Sequence, residues 1–339
     1  MRGETLAGPV FATIAACPPA RESPVMPIRN PHELTQAVLN EMARAQDPRT
    51  REILSALVRH LHGFVREVHL SEPEFHQALG WIARLGQLTN ASHNEVALAA
   101  GSLGVSSLVC LINNGNQGQT ETTANLMGPF WRMNSPVTPQ NGSIVRSATP
   151  GTPVFVQVRV LDSHGQAVPD AEVDVWQCSA DGYYENQDPS QADMNLRGKF
   201  TTDAQGWVRF RSVKPSGYPI PVSGPVGALV QTLGRHNMRP AHIHFMICKP
   251  GYKTQFSQVY SSDDPHLETD VQFGVTQALI GEYERHTGTP APAPDVQGDW
   301  YSLQYQFVIE PGESRLPAPP ITGKAEGARP QRVELQRRG

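Results

Sequence analysis

Between residues 30 and 115 the apolar positions recur every three or four residues. Ile53, Leu54, Leu57, Val58, Leu61, Phe64, Val65 and Val68 fall on one stripe, the spacing of an amphipathic helix. Start and stop signals punctuate the region. Asn30, Pro31 and Glu33 form a helix cap with proline at the first helical position, where its missing N–H costs nothing. Asp47-Pro48 closes that helix and opens the next, and Ser71 with Glu74 and Ser92 with Glu95 give two further capping boxes. From Val154 the period changes to two: Val154, Val156, Val158 and Val160 alternate with Phe155, Gln157 and Arg159, as a half-buried strand requires. Strands are also predicted around Ala171–Val175, Trp207–Val213, Phe256–Tyr260 and Tyr301–Ile309, separated by turns at Asp162–Gly165, Asp203–Gly206 and Lys249–Gly251. Short alternating strands with such turns predict a β-sandwich.

The pattern therefore predicts a mainly β protein with α-helices, divided into a disordered leader (1–29), a helical region (30–115), a β-sandwich (116–310) and a flexible, Pro-rich and basic tail (311–339). The stretch after residue 115 is polar and irregular, broken by Gly128-Pro-Phe-Trp131, and residues 287–298 form a Pro-rich linker. The helical stripe is wide enough for part of it to bury against a second copy of the chain, the rest packing on the β region.

Composition narrows the function. A chain of 339 residues can build a large core. Its net charge of −4, without a basic stripe, argues against nucleic acid. The four cysteines (Cys17, Cys110, Cys178, Cys248) form no Cys-x-x-Cys, which fits neither a disulfide framework nor a zinc ribbon and suits a reducing cytoplasm. No apolar run approaches the roughly 20 residues of a membrane span. Ile14-Ala-Ala-Cys17 has the look of a lipoprotein cleavage site, but Gly8 and Pro9 interrupt the preceding apolar patch and Glu4 offsets Arg2. Ordered structure is expected after Met26.

Candidate chemistry centres on Arg239-Pro-Ala-His-Ile-His-Phe245. On a strand, residues i and i+2 share a face and stand about 7 Å apart at Cα, so His242 and His244 can reach one ion through neutral imidazoles. His60 and His62 share that spacing but lie on a helix, where i and i+2 diverge. No carboxylate follows within the next residues, Met246–Gly251, as a cupin-like or two-His-one-carboxylate Fe(II) site would need. Tyrosines in Asp181-Gly-Tyr-Tyr184 and Pro215-Ser-Gly-Tyr218 offer phenolate instead. Two phenolates with two imidazoles favour Fe(III) over Zn(II), which prefers thiolate and imidazole.

With these residues the chain resembles the intradiol ring-cleavage dioxygenases of the catechol 1,2-dioxygenase class. The resemblance rests on Asp174-Val-Trp-Gln177, Asp181-Gly-Tyr-Tyr184, Pro215-Ser-Gly-Tyr218, Gly234-Arg-His236, Arg239-Pro-Ala-His-Ile-His244, Gly128-Pro-Phe130 and Gln258, and spans roughly residues 30–310. It implies a β-sandwich holding one non-haem Fe(III) per chain, joined to a helical dimerisation region in which lipid-like molecules can lodge. Tyr218, His242 and His244 match iron ligands, and the family's spacing from the preceding tryptophan selects Tyr184 over Tyr183. The resemblance also implies that Tyr218 leaves the iron to act as general base, that Arg239 stabilises charge on the substrate, and that Gln258 is a polar neighbour of the site.

Within the family, Tyr218-Pro-Ile-Pro-Val222 and Asp264–Gly274 are most similar to the hydroxyquinol 1,2-dioxygenase branch, which converts 1,2,4-trihydroxybenzene to maleylacetate with O2; the alternative is catechol, giving cis,cis-muconate. Resemblance places Leu98, Leu126, Met127, Gly128, Pro129, Phe130, Ile220, Pro221 and Val222 around the ring. Gly101 stands where that branch carries an aspartate, which implies broader acceptance of catechols. A remote alternative is a non-catalytic β-sandwich binding module.

Overall fold

The computed structural model describes residues 27–114 and 122–337. The expected leader lies almost wholly outside the described residues. The chain divides into two compact units, residues 1–82 and 83–339.

The first unit is helical, with α1 at Pro31–Met42, α2 at Pro48–Glu67 and the larger part of α3, Glu72–Leu88. The sequence signals work as expected at three starts. Asn30 Oδ1 accepts from the N–H groups of His32 and Glu33, and Glu33 reaches back to Asn30. Asp47 caps Thr50, and the Ser71 N–H and hydroxyl both donate to Glu74. The stripe on α2 is exposed within one chain: Leu57, Leu61 and Phe64 are each about half accessible.

The second unit begins with α4 (Glu95–Ser102) and α5 (Val105–Asn114). Here the capping expectation needs correction. Asn94, not Ser92, caps α4 by accepting from the Ala97 N–H, because the Ser92 N–H is already bound to Asn90 Oδ1. Glu95 is buried. It faces His93 at 2.6 Å and accepts from the Val226 N–H at 3.0 Å, which ties α4 to the start of α6 (Pro225–Thr232).

The strands are β1 Gly142–Ser143, β2 Pro153–Asp162, β3 Glu172–Gln177, β4 Arg197–Thr201, β5 Trp207–Val213, β6 Tyr218–Pro219, β7 Met238–Arg239, β8 His242–Cys248, β9 Gln255–Ser261, β10 Ile280–Gly281, β11 Tyr283–His286 and β12 Trp300–Ile309. They form two five-stranded sheets, ordered β1-β5-β2-β12-β11 and β10-β9-β8-β3-β4, and a short ribbon β6-β7. The sheets share one core. Val154, Val156, Val158 and Val160 of β2 meet Val173 and Val175 of β3, Ile243, Phe245 and Ile247 of β8, and Phe307 of β12.

Alternation on β8 decides where chemistry can sit. Its odd positions fill the inter-sheet core, so His242, His244 and Met246 are turned to the other face. A one-residue slip would bury the imidazoles among valines. That second face is also closed to solvent, and every residue from His242 to Ile247 is buried.

Asp174 on β3 is buried too, with the Trp131 indole N–H donating to it at 3.2 Å. Burial pushes its carboxyl up to about 6. Near pH 4 the folded protein holds it neutral. Between about pH 4 and pH 6 the unfolded chain ionises this carboxyl in water while the fold resists the buried charge, so stability falls by about 3 kcal/mol across that window and levels off above it. Asp174→Asn keeps an acceptor for Trp131 and removes the slope. The variant should gain about 3 kcal/mol on the parent between pH 4 and pH 7 in denaturant titrations; parallel pH profiles would contradict this.

Residues 311–337 differ from the expected free tail. They form no helix or strand, yet Ile321 is buried and the Thr322 and Gly323 N–H groups donate to the Ala91 carbonyl. Lys324, Arg329 and Arg332 find partners on the sandwich at Gln191, Asp181 and Asp188, a gain that hydropathy does not register.

Candidate metal centre

Four side chains from three places in the fold converge. His242 and His244 come from β8, Tyr218 from the ribbon strand β6, and Tyr184 from the long connection between β3 and β4. Tyr184 Oη lies 3.2 Å from His242 Nε2, 3.0 Å from His244 Nε2 and 3.4 Å from Tyr218 Oη, and the two Nε2 atoms are 3.1 Å apart. All four side chains are buried.

The surroundings fix each group. The His242 Nδ1–H donates to the Pro240 carbonyl at 2.7 Å, which leaves the Nε2 lone pair aimed at the centre. His244 stacks on Trp176, its cross-strand partner, with ring centroids 4.7 Å apart and planes 10° apart. Phe130 stacks on Tyr184 at 4.4 Å. Tyr184 opens a 3-10 turn, Glu185–Gln187, and its N–H donates to Gln187 Oε1. Beneath that turn the buried Glu185 carboxylate takes Arg132 and Arg197, each at 2.7 Å. Gly128 adopts φ +74°, and a Cβ there would stand 3.2 Å from His244 Cε1. The positive φ favours glycine here, and a side chain would also crowd the His244 ring.

Burial pushes the Tyr184 phenol well up, with Tyr218 adding to it, and pushes Tyr218 up against the opposing pull of Arg239. Burial likewise holds His242 down to about 3 and His244 well below its ordinary value. The four groups are therefore neutral by themselves, with the two Nε2 atoms packed 3.1 Å apart. A multivalent cation held by these four residues would reverse this balance by favouring the ionised phenols and the unprotonated Nε2 atoms. Separations of 3.0–3.4 Å are those of donors about 2 Å from one first-row ion. The donor set fits a metal. Among the described residues no group of three or more His, Cys, Asp or Glu does so, and it is the tyrosines that complete the set.

Arg239 lies beside it. Its Nη1 is 3.4 Å from His242 Nε2, while Nε and Nη2 grip both oxygens of buried Asp270 at 3.1 Å and Nη2 donates to Tyr260 Oη at 2.9 Å. Asp270 is further held by the N–H groups of Gln272 and Gly274. Gln258, opposite His244 on β9, donates to the Leu126 carbonyl at 2.8 Å and accepts from Tyr260 at 2.9 Å. It bonds to the residues that frame the centre and to none of the four donors.

The expected ring-lining residues divide into two groups. Leu126, Met127 and Gly128 border a cavity of about 420 Å³ together with Gly101, Asn125, Phe256 and Gln272. Leu98, Pro129, Phe130 and Ile220 are buried outside its lining, and Pro221 and Val222 are half-buried. Gly101 has no open space above it: the Gln272 amide lies against it and donates to Ser102 Oγ at 2.7 Å. Asp270, Tyr260 and Gln272 carry no motif of their own. Only the similarity of the Asp264–Gly274 stretch to a known branch pointed toward two of them.

Residues 126–311 match the dioxygenase family model and residues 47–121 that of the catechol dioxygenase N terminus. The chain belongs to this family, the intradiol ring-cleavage dioxygenases. It is 38% identical over 282 residues to a 6-chlorohydroxyquinol 1,2-dioxygenase of Cupriavidus pinatubonensis, covering 83% of this chain and 97% of that one. It is 35% identical over 253 residues to a catechol 1,2-dioxygenase of Candida albicans, covering 74% and 84%. Among solved structures, a hydroxyquinol 1,2-dioxygenase from Pseudomonas putida superposes with a TM-score of 0.73 at 35% identity, covering 83% of this chain and 99% of that one.

Proposed function

We propose that Tyr184, Tyr218, His242 and His244 hold one non-haem Fe(III) per chain, and that the enzyme opens hydroxyquinol between its adjacent hydroxylated carbons with both atoms of O2, giving maleylacetate. The observation that carries this is the convergence of two phenol oxygens and two imidazole nitrogens in a buried site. Hard phenolate oxygens suit a ferric ion better than zinc.

Iron held by these residues would supply the Lewis acidity that makes a bound diol reactive toward O2. The chain supplies the rest. Tyr218 is on a two-residue ribbon rather than a central strand, and in this reading, which the family resemblance supports, its Oη takes a proton from an incoming hydroxyl. Arg239, permanently charged and locked by Asp270 and Tyr260, stabilises negative charge on the substrate's oxygens. Trp176 and Phe130 hold the His244 and Tyr184 rings in place. Gln258 keeps Tyr260 and the Leu126 segment in register. The exposed stripe on α2 suits a homodimer through the N-terminal helices.

The substrate assignment rests on the hydroxyquinol relatives and on Gln272, whose amide occupies the space over Gly101 and keeps that wall polar. Steady-state turnover of hydroxyquinol and catechol tests it. The expected result is a kcat/KM at least tenfold higher for hydroxyquinol, with maleylacetate as product and slower conversion of catechol to cis,cis-muconate. A preference for catechol overturns the hydroxyquinol assignment.

A further inference from the structure

The match to the dioxygenase model ends at residue 311, yet the chain beyond it is bonded to both tyrosine-bearing segments. The first is the connection that carries Tyr184. Arg329 and Arg332 lie over the Tyr183 ring at 3.9 and 4.9 Å, and the Tyr183 hydroxyl donates to the Pro330 carbonyl at 2.9 Å. Arg329 pairs with the Asp181 carboxylate and Arg332 donates to the Asp181 carbonyl. Gly182, at φ +82°, makes room for this, since a Cβ there would overlap the Arg332 guanidinium. Further along, the Ala325 N–H donates to the Asn186 carbonyl at 2.7 Å and Lys324 donates to that of Gln191.

The second segment is the β6-β7 ribbon, which carries Tyr218 and Arg239. Buried Asn237 joins the ribbon to the tail. Its Nδ2 donates to the carbonyls of Ile220 at 2.8 Å and Val333 at 2.9 Å, and its Oδ1 accepts from the Leu335 N–H at 2.8 Å. Glu185, gripped by Arg132 and Arg197, fixes the Tyr184 connection from beneath. The tail fixes its outer side, where a long connection would otherwise keep the conformational freedom that ordering must overcome.

We propose that residues 324–335 are a strap that positions Tyr184, through Asp181 and Tyr183, for metal binding. The inference rests on Tyr184 being a metal ligand, and its test separates the two claims. Two proteins are compared with the full chain: one ending at Glu326, which retains buried Ile321, and the full-length double variant Arg329→Ala/Arg332→Ala. In the metal-free proteins, hydrogen–deuterium exchange across residues 181–191 is expected to rise at least tenfold, with β2, β8 and β12 unchanged. In the iron-loaded proteins, release to a chelator is expected to quicken at least tenfold and the tyrosinate absorption band to shift. A synthetic peptide of residues 327–337 should restore slow exchange to the truncated protein. Exchange across 181–191 within twofold of the parent, or a rise spread evenly over the sandwich, overturns the strap. If the truncation fails to fold, the double variant decides alone. A parent chain that takes up no iron refutes the ligand assignment and leaves the exchange result to judge the strap.

Discussion

His242→Ala is expected to reduce iron to background and to lower kcat/KM for hydroxyquinol by at least 10³-fold, while the β-sandwich remains folded. The reasoning starts from Nε2. The Nδ1–H is committed to Pro240, so Nε2 faces Tyr184 and His244 as a lone pair. Deleting the ring removes one of four donors and opens the site to water. The cost to the metal-free fold is about 2–4 kcal/mol, for the lost packing of a buried ring and the Pro240 carbonyl left without its donor, with no added penalty from a buried charge because the imidazole is neutral. The iron-loaded protein should lose far more, since binding to the folded state alone stabilises it by mass action. Metal analysis, circular dichroism and thermal unfolding with and without iron separate these effects. Full iron occupancy in the variant would contradict the role given to His242.

The second large effect is expected at Asp270. Its carboxylate grips Arg239 with both oxygens, and the nearness of that guanidinium holds it below the usual carboxylate range despite burial. Asp270→Ala leaves a buried guanidinium without its counter-charge, a loss of about 3–5 kcal/mol in stability. It also frees Arg239 to turn away from His242. The variant should therefore lose stability and also show a kcat reduced at least a hundredfold. Asp270→Asn, which keeps one acceptor, should recover part of both. Denaturant titration with steady-state kinetics checks this. An alanine variant with normal stability would show that the pair is solvated and not buried as described.

The histidines were legible because strand alternation is a local property: once β8 is recognised, His242 and His244 must share a face and Ile243 must oppose them. The tyrosines were half legible. Chain chemistry pointed to Asp181–Tyr184 and to Tyr218, but nothing local separates Tyr183 from Tyr184. In the fold the two point to different partners, Tyr184 toward the histidines and Tyr183 toward Pro330 and two arginines. Asp270 was not legible as the partner of Arg239, because 31 residues of chain separate them and only the fold brings the turn after Leu267–Thr269 against the β6-β7 ribbon. The tail misled for a physical reason. Proline-rich basic sequence suggests a segment with nothing to bury, whereas here guanidinium planes pack on an aromatic ring and ion pairs replace apolar burial. The Ser92 cap failed for a similar reason: Asn90 claimed its backbone first.

The most direct measurement is metal content together with the visible absorption spectrum of the purified protein, before and after anaerobic addition of hydroxyquinol. One iron per chain, a broad tyrosinate-to-iron band that colours the protein red, and a shift of that band when the diol arrives are the expected results. A colourless protein carrying zinc, or a coloured one whose spectrum ignores hydroxyquinol, would contradict the account.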